Sequence, residues 1–80
     1  MKIEIRRIDD NLTYVGYFTR EYCEYVELIK CYDSDMMGKR KSFWRVDDSW
    51  RTVSSLNRTK TQAIDFAKRY MKNKKEQRGK

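Results

Sequence analysis

A clean helical period occurs once in this chain, and it comes last. Ala63, Ile64, Phe66, Ala67, Tyr70 and Met71 recur at helical spacing, which puts them on one face of a 3.6-residue helix. Thr59 followed three residues later by Gln62 is a capping box that fixes where this helix starts. Asp65 can pair with Arg69 one turn on. The opposite face carries Lys60, Lys68, Arg69, Lys72 and Lys75, and the crowding of bases toward the C-terminal end suits the helix dipole. A single amphipathic helix at the end of a chain must bury its apolar stripe on whatever precedes it, and what precedes it reads as strand.

Residues 2–8 alternate, with Ile3 and Ile5 facing one way and Lys2, Glu4 and Arg6 the other. Asp9, Asp10 and Asn11 form a turn cluster. Residues 12–19, LTYVGYFT, make a second strand, in which Gly16 implies a bulge or a close approach of backbone. Residues 21–33 fit neither period cleanly: Tyr22, Tyr25, Val26, Ile29 and Tyr32 recur at helical spacing, yet the composition favours a strand over about 24–32. Asp33 to Lys41 reads as a loop turning at Gly38, with the basic tip Lys39-Arg40-Lys41. Residues 42–47 and 50–55 are short strands joined at Asp48-Ser49, and Trp44 and Trp50 cannot easily share one face, so one should be exposed. The expected fold is α+β: a small antiparallel sheet of four to five short strands with the C-terminal helix on one face. Residues 1–73 form one domain, followed by a frayed basic tail, 74–80.

Charge is distributed as unevenly as the secondary structure. Residues 39–80 hold fourteen bases and four acids, a net +10, whereas residues 1–38 hold five bases and eight acids, for a total of +7. Such a gradient in a small domain favours a polyanionic partner. No apolar run approaches the length of a membrane span, and the N-terminal segment lacks a signal-peptide apolar region, so a cytoplasmic protein with no membrane partner is expected. Cys23 and Cys31 are expected to be buried free thiols. With no histidine and two cysteines, the chain lacks ligands for a structural zinc site, and no cofactor is expected. Tyr14-Val15-Gly16 resembles the second half of the GIY-YIG nuclease signature, but the first half is missing. An enzyme is therefore not expected.

Candidate binding residues fall into two groups. The first is basic: Lys39, Arg40 and Lys41 of the loop, joined by Arg45, Arg51 and Arg58, and the helix face Lys60, Lys68, Arg69, Lys72 and Lys75. Bases in such a row neutralise phosphates and release counterions, and arginine adds planar, two-pronged contacts. The second group is acidic and aromatic, with Tyr22, Glu24 and Tyr25 as contacts for a protein partner.

The stretch from Phe43 to Tyr70, with Thr59, Lys60, Ala63, Phe66 and Ala67 at its helix start, resembles the arm-type DNA-binding domains at the N-termini of phage integrases. The resemblance covers about a third of the chain, and the compact, lysine-rich, proline-free composition is similar in style to small early phage proteins. It implies a sheet that enters the major groove with a helix packed behind it, and makes Arg45 and Arg51 the groove-facing residues. The expected function is non-enzymatic nucleic-acid binding, DNA ahead of RNA, by a monomer or homodimer. The alternative is a small phage-encoded inhibitor or modulator of a host nucleic-acid enzyme, acting through protein contacts.

Overall fold

The computed structural model describes residues 2–34, 36–49 and 51–78; Asp35 and Trp50, one of the two tryptophans expected to differ in exposure, lie outside the described residues. Five strands, β1 (Glu4–Asp9), β2 (Leu12–Phe18), β3 (Cys23–Ser34), β4 (Arg40–Asp48) and β5 (Arg51–Asn57), are followed by one helix, α1 (Lys60–Arg78). The strands form an antiparallel meander in the order β1-β2-β3-β4-β5, and α1 packs across one face. The expected α+β architecture is thus the observed one.

The core is built from one face of the central strands. Val15 and Tyr17 of β2, Val26 and Leu28 of β3, and Trp44 and Val46 of β4 are buried against Ala63, Ala67 and Met71 of α1. The helix residues are spaced one turn apart, and the two alanines let the helix backbone come close to the sheet. A fully buried side chain such as Leu28 contributes about 1.5–3 kcal/mol through removal from water. Exposed, largely charged β1 guards one edge of the sheet. At the other edge, buried Asn57 donates from its amide to the Trp44 carbonyl at 3.2 Å and to Ser54 Oγ at 2.9 Å, which closes the irregular end of the β4–β5 ladder.

The helix starts where the capping box places it. Thr59 Oγ1 accepts from the Gln62 N–H at 3.2 Å, and Gln62 Oε1 accepts from the Arg58 N–H at 2.9 Å. Thr59→Ala is expected to cost about 1 kcal/mol, read as a lower urea midpoint at unchanged m-value; an unaltered midpoint would mean the cap carries no stability. Within the segment expected as a frayed tail, α1 continues to Arg78, and Lys74 is anchored to Glu24 and Asp48 of the sheet.

Two further expectations change. Cys23 is exposed and Cys31 half-buried, both free thiols; they occupy the side of β3 that faces away from the helix, so neither is a core residue. The loop expected over residues 33–41 is shorter, because both of its ends are strand. Asp33 pairs with Lys41 and Ser34 with Arg40, which leaves only residues 35–39 between β3 and β4.

Candidate nucleic-acid interface

The lengthened β3–β4 hairpin outruns the sheet. Pairing with β2 ends at Leu12–Ile29, followed by a last bond from the Lys30 N–H to the Asn11 carbonyl. Pairing with β5 ends at Trp44–Asn57. Beyond these points, residues 31–34 and 40–43 keep only their mutual strand pairing among the described residues and form a two-stranded arm. The molecule is correspondingly long, 49 × 24 × 21 Å, with a radius of gyration of 13.8 Å, against about 11.6 Å for a compact domain of its length.

Side chains alternate across the arm, so its bases fall on both faces. On the helix side, the Arg40 guanidinium lies 4.6 Å from the Tyr32 ring centre and Lys30 Nζ lies 5.6 Å from it. Lys30 is the cross-strand partner of Trp44, and Lys60 from the start of α1 reaches over the Trp44 ring at 5.6 Å. Three elements thereby supply one strip, Lys60–Lys30–Arg40, set on aromatic rings that hold the cations by their π faces. On the other side, Lys41 and Arg58 line a shallow groove at the base of the arm with Asp33, Ser42 and Phe43. Lys39 is exposed between the strands, beside Gly38.

The remaining sequence candidates are dispersed. Lys68, Arg69 and Lys72 are exposed on the outer side of α1, interrupted by Asp65 and followed by Glu76. Arg69 Nε reaches the Asp65 carbonyl at 3.5 Å, in place of the expected contact with its carboxylate. Lys75 turns back over the Tyr17 ring at 5.0 Å. Arg45 is tied to Asp47 at 2.9 Å on the face away from the helix, whereas Arg51 is the strand partner of Asp48, whose carboxylate is bonded to the helix. Arg45 and Arg51 therefore point to opposite sides of the sheet and cannot face one groove together, which corrects the layout implied by the integrase resemblance.

The acidic and aromatic candidates also separate. Tyr22 donates its hydroxyl to Glu24 Oε2 at 2.6 Å, and Glu24 Oε1 holds Lys74 at 2.5 Å. Glu24 is thereby tied within the protein, to Tyr22 beside its own strand and to Lys74 of the helix. Tyr25 lies on the opposite face, stacked with Tyr14 at 4.5 Å and with Phe18 at 5.3 Å between ring centres, while Arg6 covers Phe18 at 4.2 Å.

Lys30 and Tyr32 were invisible to the sequence reading as site residues. Lys30 sits in the acidic half of the chain and joins the strip only through the β3–β4 register. A strand assigned through residue 34, with its parity, would have found both. No helix among the described residues is long and apolar enough to cross a membrane. The chain matches no family model, no curated protein and no solved structure.

Proposed function

We propose that this protein binds nucleic acid, with duplex DNA as the favoured form, and that the β3–β4 arm is the element that engages it. The observation that carries this reading is the arm itself: a two-stranded ribbon projecting past its neighbours, with Arg40 on one face and Lys41 on the other, and Lys30 and Arg58 at its base. A two-stranded ribbon fits within a DNA groove, and cations on both faces can meet phosphates along both walls. Contacts of this kind position the protein and carry little sequence information, so binding is salt-dependent and weakly selective.

The test compares two triple variants by anisotropy titration on a labelled mixed-sequence duplex over a range of salt. Replacing Lys39, Arg40 and Lys41 with glutamine removes three phosphate contacts, so the slope of log affinity against log salt should become shallower by about 2.7. The same change at Lys68, Arg69 and Lys72 should alter the slope by less than about 1. A larger loss in the helix variant would move the interface to the helix, and equal losses would spread it over both; a wild-type protein that fails to bind at low salt would end the reading. A second reading, a protein-binding modulator, draws on the stacked Tyr14, Tyr25 and Phe18 of the uncovered sheet face. It is favoured if a stoichiometric protein partner is retained after nuclease treatment and lost in Tyr25→Ala.

A further inference from the structure

We infer that the tip of the arm is an apolar wedge that enters the minor groove of duplex DNA and unstacks a base step. This rests on DNA being the arm's ligand, as proposed above, and adds what the tip does there. Met36 and Met37 are 104% and 84% exposed, the two most exposed of the large apolar side chains described. They occupy the end of the projection, beyond the aromatic Tyr32 and Phe43 nearer its base. Gly38 follows at φ +78° with open space around it, reversing the chain into Lys39, Arg40 and Lys41. Apolar side chains inserted between base pairs kink DNA and open the minor groove, and methionine is among the residues that do so. Its unbranched, polarizable side chain suits a slot between flat rings.

The dimensions agree with this use. Four cross-strand pairs, from Cys31–Phe43 to Ser34–Arg40, separate the tip from the body of the sheet, a reach of about 13 Å at strand rise. The minor groove is about 7.5 Å deep and about 6 Å wide in undistorted DNA, so the ribbon enters it only as the inserted tip kinks the duplex and opens the groove. The tip can therefore reach the groove floor while Arg58 and Lys60 at the arm's base stand over the backbone. An anionic bilayer also attracts an apolar tip with basic flanks. There the cations would need to share one plane at the headgroups, whereas here they stand at two levels, Arg40 and Lys41 near the tip and Lys30, Arg58 and Lys60 at the base, as a groove with phosphate walls requires.

The experiment uses the full chain and its Met36→Ser/Met37→Ser double variant. The probe is a duplex of mixed sequence with 2-aminopurine at a central TA step, intact or nicked at that step and labelled at both ends for energy transfer. Phosphatidylserine-containing vesicles form a separate arm. Substitution at exposed tip positions should leave the melting temperature unchanged. Wild type should raise the 2-aminopurine signal severalfold, bring the duplex ends closer and prefer the nicked duplex by about tenfold, since a nick removes most of the cost of deforming the step. The double variant should lose all three effects while its affinity for intact duplex falls less than threefold, on the order of the small loss expected when phosphate contacts persist. If wild type binds duplex with no 2-aminopurine rise and no preference for the nick, the wedge is refuted and the arm reading stands. If neither protein binds duplex, both fall. Vesicle binding by wild type without duplex binding, lost in the double variant, would overturn the proposal in favour of a membrane-inserting tip.

Discussion

Gly16→Ala is expected to destabilise the protein by about 3–5 kcal/mol, a large part of the roughly 4–12 kcal/mol available to a domain of this length. A Cβ at residue 16 would stand 2.5 Å from Tyr25 Cα and 2.7 Å from Tyr25 Cβ, and would also collide with the Glu24 carbonyl oxygen. Two of these three neighbours are backbone of the adjacent strand, so no rotamer change relieves the overlap; β2 and β3 must move apart. Those strands carry Val15, Tyr17, Val26 and Leu28 on their other face, and the separation would open the core there. The glycine also makes room on the uncovered face. Tyr14 and Phe18 flank it on β2, and Tyr25, its cross-strand partner, stacks against both. Gly38→Ala provides the control. Its φ of +78° strains an alanine, but nothing lies within 4 Å of the added carbon, so the cost should be about 1–2 kcal/mol. Urea unfolding of the two variants side by side decides the matter. A Gly16→Ala loss no larger than that of Gly38→Ala would mean that β2 and β3 are not this close.

The same pair of strands shows what could be read in advance and what could not. β2 was legible because its apolar and aromatic run is bounded by an Asp-Asp-Asn turn, and its glycine signalled the close approach. β3 was ambiguous for a physical reason. It is the central strand of the sheet, with Val26 and Leu28 in the core on one face and Tyr25 and Ile29 on the other. A strand with apolar residues on both faces loses the alternation that marks it, and Tyr22, Val26 and Ile29 then mimic a helical stripe. The arm suffered in turn, because its basic residues look like a loop tip until β3 is extended to Ser34. The bases of the second half group in the sequence as a loop tip with nearby arginines and a helix face. Folding divides them among the arm, the outer side of α1 and, for Lys74, the interior of an ion network, and only tertiary register makes that division.

Removing that interior cation should give the second large effect. Lys74 Nζ lies 2.7 Å from Asp48 Oδ2 and 2.5 Å from Glu24 Oε1, and Tyr70 donates its hydroxyl to Asp48 Oδ2 at 2.6 Å. The side chains of Lys74, Glu24 and Asp48 are only 23%, 15% and 14% exposed. Lys74→Met keeps the aliphatic stem but leaves two carboxylates facing each other with their cation gone, which is expected to cost about 2–3 kcal/mol at neutral pH, below the range for fully buried pairs because some solvent reaches the site. The pH dependence distinguishes this network from simple packing. Burial opposes the Asp48 charge, yet the hydrogen bonds from Lys74 and Tyr70 outweigh it and hold the carboxyl below its ordinary value of 3.8. A depressed acid binds fewer protons when folded, so its contribution is present above about pH 4 and is lost as pH falls through the lower, folded value. Lys74 is raised above 10.5: burial works against its charge, and the bonds to Asp48 and Glu24 prevail. Its contribution is therefore full below that pH and lost as pH rises through the folded value. Wild type should be most stable on a plateau between these limits. In Lys74→Met the alkaline loss due to this lysine disappears. At the acid end the sign reverses, because burial and the facing Glu24 charge now raise the Asp48 carboxyl, and protonation relieves the repulsion. The variant should thus gain stability relative to wild type as pH falls from 7 toward 4, read from urea midpoints across that range. A constant difference between the two proteins at every pH would refute the ion network and leave only lost packing.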